Sequence, residues 1–182
     1  MRKNIISLFF VFFLTNALAS DKKNIIQNLN YIENLSFNFE QNINGKIENG
    51  NCTIQYPKKI FCKYNLGNKK ILVSNGKSLV IKTLSSYYIY PLEKTPLSLI
   101  LDKSYIINRI ESLNENFIDD NFISFKFIEN GNDISIFFNK KNYDLIGWQT
   151  VDIYQNLSIT YISSISKNTK INKNIFSLPE QN

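Results

Sequence analysis

The chain has 182 residues, of which 43 % are hydrophobic and 14 % aromatic, and it carries a formal net charge of +6 with no histidine and two cysteines. The lack of histidine excludes Ser-His-Asp and Cys-His catalysis and histidine-ligated zinc, and two cysteines cannot form a four-cysteine metal cluster. The positive charge is mostly lysine, spread without the basic runs of nucleic-acid-binding proteins, so we expect no metal, no cofactor and no nucleic-acid partner.

The first 19 residues have the pattern of a cleaved export signal. Arg2 and Lys3 form a positive start, an apolar run extends from Ile5 to Leu14, and an Ala-Leu-Ala site follows at 17–19. The apolar run is short for a bilayer span, although an amino-terminal membrane anchor is the alternative. No cysteine follows at position 20 to carry a lipid. We therefore expect a signal peptide over 1–19 and one soluble domain over 20–182.

The segment after this signal has the pattern of a helix over 22–34. Ser20 or Asp21 can cap it, and Ile25, Leu29 and Ile32 fall on one face. Such an apolar stripe must pack on another element, most simply on a sheet.

From Leu35 onward the hydrophobic period changes to two, which is typical of half-buried strands. Turn signals such as Asn44-Gly45 and Asn49-Gly50 then recur at short intervals. Strand-like runs lie near 35–43, 46–56, 60–66, 69–74, 78–83, 86–91, 113–118, 122–128, 133–138, 143–153 and 156–165. About eleven strands with hairpin-length connections predict a mainly β (α+β) fold whose meandering antiparallel sheet twists and curls.

One segment interrupts the strands. Thr95 can cap a helix with Pro96 at its first position, so one or two short helices are expected over 96–112. With the first helix they would cover the concave face of the sheet. The inward-facing positions are rich in aromatic residues, which either fill an ordinary core or line an apolar ligand cavity. Composition leaves both alternatives open.

Four segments in register carry a family resemblance. They are LSFNFEQ at 35–41, GNCTIQYPKKIFCKY at 50–64, ILVSNGKSL at 71–79 with YPL at 90–92 and TPL at 95–97, and NIFSLP at 174–179. In this order and spacing they resemble the outer-membrane lipoprotein carrier family (LolA) of the bacterial periplasm. The resemblance implies an incomplete β-barrel with a helical lid, which shields the acyl chains of a lipoprotein between inner and outer membrane. It implies no catalysis.

The resemblance also implies roles for individual residues. Ile60 matches an apolar position near the cavity mouth and is the best single candidate for ligand contact. The full set of expected cavity residues is Leu35, Phe37, Phe39, Ile54, Ile60, Cys62, Tyr64 and Val73. The expected lid residues are Pro96, Leu97, Leu99 and Ile100.

Tyr56 occupies the position where the family has an arginine, just before the matching Pro57. In the family that arginine latches the lid by hydrogen bonds. A tyrosine hydroxyl can donate one such bond but lacks the guanidinium fork. Tyr56 is therefore the expected latch position, with a weaker latch.

Cys52 and Cys62 flank this turn, and both are even-numbered on their strands. If the register allows, they face each other on one side of the hairpin, and in an oxidising periplasm they would form a disulfide. The alternative is two small buried thiols.

Four functions remain open at this stage. The first is a periplasmic lipoprotein carrier, a monomer whose partners are acylated lipoproteins, an inner-membrane lipoprotein-releasing ABC transporter, and the outer membrane or its lipoprotein acceptor. The second is the related acceptor, which the lack of a lipid-bearing cysteine disfavours. The third is a protein-binding or sensory module that uses the same sheet without lipid. The last is a carboxylate enzyme, which would need two of Glu111, Glu115, Asp119 and Asp120 to converge in a cleft.

Overall fold

A computed structural model describes residues 20–117, 121–129, 131–151 and 155–181 of the chain. The expected signal peptide over 1–19 lies outside the described residues. Within these ranges, none of the helices is long and apolar enough to cross a bilayer.

Among the described residues, eleven antiparallel strands form one curved, unclosed sheet, as the alternating pattern predicts. In chain order the strands are Asn34–Ile43 (β1), Lys46–Gln55 (β2), Lys59–Tyr64 (β3), Ile71–Asn75 (β4), Ser78–Lys82 (β5), Tyr87–Pro91 (β6), Asn116–Phe117 (β7), Phe122–Glu129 (β8), Asn132–Asn139 (β9), Leu145–Val151 (β10) and Leu157–Lys167 (β11). Their spatial order is β6-β5-β4-β3-β2-β1-β11-β10-β9-β8-β7.

The first and last strands meet in the middle of the sheet. β1 pairs with β2 on one side and with β11 on the other, so the amino- and carboxy-terminal halves of the sheet are joined there. β6 and β7 lie at the two edges and do not pair with each other, so the barrel is incomplete.

In the part of the chain that the structure describes, three helices accompany the sheet: Asp21–Tyr31 (α1), Leu97–Ile100 (α2) and Lys103–Ser112 (α3). Short 3₁₀ turns lie at Leu92–Lys94 and Lys173–Phe176. The Ser20 hydroxyl accepts from the Lys23 amide at the start of α1, as a capping residue does. α1 ends three residues earlier than the predicted 34, because the chain turns extended at Ile32 to enter β1.

The segment expected over 96–112 does form two short helices, but Thr95 does not cap the first of them. Its hydroxyl donates to the Leu92 carbonyl at 2.7 Å, and α2 begins at Leu97. The side-chain cap belongs instead to α3, where the Asp102 carboxylate accepts from the Tyr105 amide. The prediction of short helices here is therefore confirmed, whereas the prediction that Thr95 caps the first one is wrong.

The main hydrophobic core of the described residues lies between the sheet and the helices. It combines the apolar stripes of the helices, such as Ile25, Leu29 and Ile106, with inward-facing side chains of β1 and β8, such as Leu35 and Phe125. The helices therefore cover one face of the sheet, as their amphipathic patterns require.

Candidate ligand-binding cavity

The core does not fill the whole face of the sheet, because a cavity of about 380 Å³ remains beside the helices. This volume lies within the range of roughly 300–1,000 Å³ typical of ligand pockets. Its lining residues are Phe37, Phe39, Gln41, Ile43, Lys46, Glu48, Cys52, Ile60, Cys62, Tyr64, Lys70, Leu72, Leu79, Ile81, Tyr88, Thr95, Pro96, Leu97, Trp148, Thr150, Val151, Ser158 and Thr160.

The structure brings part of the expected set together at this cavity. Five of the expected cavity residues line it, and two of the expected lid residues, Pro96 and Leu97, contribute from the helical segment. The five are Phe37, Phe39, Ile60, Cys62 and Tyr64.

The other expected residues lie elsewhere. Leu35 and Ile54 face each other across β1 and β2 but are buried in the packed core rather than at the cavity. Ile100 is also buried in that core, and Leu99 packs against it. The expected residues of β1 to β3 do lie on the same face as the cavity. Which part of that face the helices cover depends on tertiary packing, so the resemblance could not predict it.

Val73 was expected in the cavity but lies on the opposite face of the sheet. Its neighbour Leu72 lines the cavity, and successive side chains of a strand point to opposite faces. Val73 is buried against its partner Val80, on strands near the carboxy-terminal 3₁₀ turn, whose Phe176 is also buried.

Aromatic rings form much of the apolar end of the cavity. Phe37 and Trp148 meet edge to face with their ring centroids 6.3 Å apart, and Phe39 meets Tyr64 in the same way at 4.9 Å. Trp148 was not among the cavity residues expected from the sequence, although it is the single tryptophan of the chain and lies in a strand with period-two alternation.

The opposite end of the cavity is polar, and the strand register shows how it is built. Glu48 lies beside Gln41, which lies beside Thr160, which lies beside Trp148 in four adjacent strands. The next row contains Lys46, Ile43, Ser158 and Thr150 in the same strands. Phe37 and Phe39 precede Gln41 on β1, so the lining changes from aromatic to mostly polar along the strand, with Trp148 and Ile43 as the apolar members of the two polar rows. The period-two alternation in the sequence predicted which side chains share a face, but it did not predict this division into two ends.

Glu48 is the charged centre of the polar end, with a side chain only 4 % exposed. One carboxylate oxygen pairs with the Lys46 ammonium at 2.8 Å, and the other pairs with Lys70. Burial raises the pKa of Glu48, but hydrogen bonds and charge from Lys46 and Lys70 outweigh it and hold the pKa below its usual value. Glu48 is therefore an anion flanked by two cations.

Hydrogen bonds connect most of the remaining polar groups. The Gln41 amide donates to the Ser158 hydroxyl at 2.8 Å, and the Tyr64 hydroxyl donates to the Gln41 carbonyl oxygen at 3.4 Å. Burial, and next the charge of Glu48, raise the pKa of Tyr64, so its hydroxyl stays protonated. The exception is the Thr160 hydroxyl, which is buried and has no hydrogen-bond partner among the residues described.

The turn before β3 does contact the helical segment, but through Lys58. The Lys58 amide donates to the Leu101 carbonyl at 2.9 Å, and its ammonium lies 3.5 Å from an Asp102 carboxylate oxygen. Tyr56 contributes its backbone amide, which donates to the Glu33 carbonyl at 3.0 Å, and its ring, which faces the Lys103 ammonium. Burial raises the pKa of the Tyr56 hydroxyl. The contacts expected of a latch thus come from the residue two positions later.

Cys52 and Cys62 are directly opposite each other in β2 and β3, and the structure joins them in a disulfide. Their Cα atoms are 4.1 Å apart, closer than the 5.5–6 Å typical of disulfides and nearer the spacing of directly opposed antiparallel residues. Both side chains line the cavity wall.

The carboxylates considered for an enzyme are not at the cavity. Glu115 accepts a hydrogen bond from the Lys22 amide at 2.8 Å, and Glu111 is exposed on α3. Asp119 and Asp120 lie outside the described residues. Across the described ranges, no group of three or more Cys, Asp or Glu side chains is placed to hold a metal ion.

Comparison with solved structures finds similarity to several proteins. A LolA superfamily protein from Nitrosomonas europaea superposes with a TM-score of 0.47 at 8 % identity, covering 88 % of this chain and 99 % of that one. A chain of the Pseudomonas aeruginosa MucA/MucB complex superposes with a TM-score of 0.50 at 7 % identity, covering 87 % of this chain and 60 % of that one. The Mycobacterium tuberculosis lipoprotein LppX gives 0.44 at 10 % identity, covering 84 % and 95 %. At 7 % identity the likeness to the MucA/MucB chain concerns the fold alone.

The comparison by sequence is more specific. No curated protein sequence matches the chain significantly. The family described as outer membrane lipoprotein carrier protein LolA, however, matches it over residues 30–179, which is most of its length. The chain therefore belongs to the LolA family.

Proposed function

We propose that this protein is a periplasmic carrier that binds the acyl chains of lipoproteins and moves them from the inner to the outer membrane. The observation that carries the proposal is the cavity, whose apolar end is walled by Phe37, Phe39, Ile60 and Leu97 beside a short helical segment. Membership of the LolA family supports it. The protein would catalyse no reaction.

The energetics of acyl chains explain why such a cavity is needed. Burial contributes about 0.8 kcal/mol per methylene, so leaving an ordinary acyl chain in water costs on the order of 10 kcal/mol. A carrier must cover much of that surface and still release it. A cavity at the edge of a packed core, bordered at Leu97 by a helix of only four residues, fits both requirements.

The location and partners follow from the same proposal. The signal over 1–19 would direct export, and cleavage after Ala19 would free the domain in the periplasm. Acylated lipoproteins would be the cargo, an inner-membrane lipoprotein-releasing ABC transporter the donor, and the outer membrane or its acceptor the destination.

A release assay tests the proposal. The protein is added to spheroplasts of the native host, and lipoproteins in the supernatant are counted beside those released by Ile60→Glu and by Asn51→Glu. Ile60 lines the cavity, whereas Asn51 is exposed on β2. We expect release by the wild type and by Asn51→Glu, and loss of most release by Ile60→Glu, because a carboxylate in an apolar wall is strongly unfavourable.

Circular dichroism must show that Ile60→Glu is folded, and Leu97→Glu on the helical segment provides a second cavity variant. If folded wild type releases no lipoprotein, or if all the variants release as much as wild type, the carrier proposal is wrong.

The second candidate is a protein-binding module that works without lipid. The edge strand β6 favours it, because Tyr88 and Ile89 are about half exposed there. Exposed apolar edge strands are able to pair with a strand of another protein. Capture of a protein by wild type and by Ile60→Glu alike, but not after Ile89→Lys, would favour this candidate over carriage.

A further inference from the structure

We propose that the polar end of the cavity is a site for the head of an anionic acyl amphiphile, with the Thr160 hydroxyl donating to a carbonyl and the Lys46 and Lys70 ammonium groups facing the negative charge. This deepens the carrier proposal and rests on it. The apolar end would take the chain, and the polar end would set which acyl compounds bind.

The first support is the Thr160 hydroxyl. Residue Thr160 lines the cavity and is only 4 % exposed, and the described part of the chain offers its buried hydroxyl no hydrogen-bond partner. Buried hydroxyls are nearly always satisfied, so an unpaired hydroxyl on a cavity-lining residue points to a ligand that reaches it from the cavity. An ester or amide carbonyl beside an acyl chain is an acceptor of the right kind.

The second support is the charge beside it. Glu48 is in the strand row of Thr160, separated from it only by Gln41. Two lysines surround this one carboxylate, which leaves a net charge of +1 at the cavity wall. The Lys46 side chain is 72 % exposed, so its ammonium can turn to a second anion without losing buried packing.

The third support is the direction of the lining. The cavity-lining Phe37 and Phe39 precede Gln41 on β1, and the residues of β11 that line the cavity are the polar Ser158 and Thr160. Along these central strands the lining therefore changes from aromatic to mostly polar, with Ile43 as the apolar residue beyond Gln41. A ligand that is apolar throughout would leave the polar level unused.

Trp148 makes the site measurable, because it is the single tryptophan, lines the cavity, lies opposite Thr160 and contacts the Phe37 ring. The full chain is expressed, purified and titrated with three probes that quench tryptophan fluorescence from cyclodextrin solution. They are dibrominated stearate, its methyl ester and the dibrominated alkane of the same length. The probes share the chain and differ only in the head.

We expect stearate to half-quench at a concentration about tenfold below that of its methyl ester, as a charge-assisted contact predicts. The methyl ester should half-quench at a concentration about fivefold below that of the alkane, as one additional hydrogen bond predicts. Lys46→Met should remove most of the difference in half-quenching concentration between stearate and its ester. Glu48→Gln should increase that difference. Thr160→Val should remove the difference in half-quenching concentration between the ester and the alkane. Lys63→Met, an exposed lysine on β3 outside the cavity, is the matched control and should change nothing.

The source of the anion is tested by competition against dibrominated stearate. Lysophosphatidylglycerol should displace it, and millimolar inorganic phosphate should not. Displacement by phosphate alone would overturn the amphiphile site in favour of a free-anion site.

The outcomes separate this proposal from the one on which it rests. If the alkane quenches and the three probes are equivalent, the polar-end proposal is overturned while the apolar cavity stands. Equal effects of Lys46→Met and Glu48→Gln would also overturn it, because the charge argument requires opposite signs. If no probe quenches Trp148, acyl binding in this cavity fails, and both proposals fail with it.

Discussion

At the scale of single residues, Gly50 shows how a missing side chain shapes the cavity wall. A Cβ at this position would lie 2.1 Å from the Lys63 carbonyl oxygen and 2.9 Å from an edge carbon of the Phe39 ring. Glycine therefore lets β2 approach β3 closely and lets the Phe39 ring lie across the strand beside Tyr64. The aromatic pair at the apolar end depends on this small residue.

Gly50→Ala should destabilise the protein by about 3 kcal/mol, the upper end of the usual cost of overpacking, because the closest obstacle is backbone. Thermal unfolding followed by circular dichroism measures it. Gly67→Ala is the matched control, since a Cβ there would meet nothing within 4 Å. Equal midpoints for the two variants would contradict the packing argument.

Glu48 gives a second prediction at this scale, for pH. Its pKa in the folded protein is below the ordinary value of 4.5, so its contribution to stability is full above pH 4.5 and is lost as the pH falls through the lower, folded-state pKa. The difference in unfolding free energy between wild type and Glu48→Gln should therefore narrow on acidification below pH 4.5. Urea titrations at several pH values measure it, with exposed Glu40→Gln as control. A constant difference would show that Lys46 and Lys70 do not stabilise the carboxylate.

At the scale of elements, the segment from α2 to α3 is held at its middle. Asp102 caps α3 and also pairs with Lys58, while the Lys58 amide bonds to the Leu101 carbonyl. A helix of four residues cannot be stable alone, so these contacts and the burial of Ile100 keep α2 in place. This junction is where the proposed lid would loosen.

Asp102→Ala should remove both the cap and the ion pair and weaken the start of α3 by about 1 kcal/mol. Hydrogen exchange of the amides in residues 103–106 should therefore accelerate about fivefold. Asp102→Asn is the informative control, because asparagine retains the capping oxygen but not the charge. Equal acceleration in both variants would assign the effect to the ion pair rather than to the cap.

At the scale of the whole molecule, the cavity exists because the sheet curves without closing. β1 and β11 join the halves of the sheet, and the helices fill only one end of the concave face. The remaining space is continuous with the core, so an occupant would bury the same residues that hold the fold together. Ligand binding and stability should therefore be linked.

Palmitate at about one hundred times its dissociation constant should stabilise the folded protein by about 2.7 kcal/mol, by mass action alone. For a chain of this size that corresponds to a rise in melting temperature of roughly 5–10 °C. Differential scanning calorimetry of wild type and Ile60→Glu measures it, and the rise should be absent in the variant. A rise of equal size in both would place the binding site outside this cavity.

The sequence by itself determined the period-two strands, the helical segments and the face of β1 to β3 that points inward. These properties follow from local patterns, because alternation and turn residues are specified by neighbours along the chain. The family resemblance added the unclosed barrel and the positions of Phe37, Phe39 and Ile60. It could not show which end of the face the helices would fill, so Leu35 and Ile54 were assigned to the cavity although they lie in the core.

Only the tertiary structure decided how the cavity is divided. The polar end joins Glu48, Gln41 and Thr160 from three separate strands with Lys70 from the loop before β4, and the proximity of the three strand residues depends on strand register rather than on any local motif. The register also decided that Lys58, rather than the Tyr56 hydroxyl, contacts the helical segment, and that Val73 faces away from the cavity. Local sequence fixes which residues share a strand face, but which faces meet depends on pairings between residues far apart in the chain.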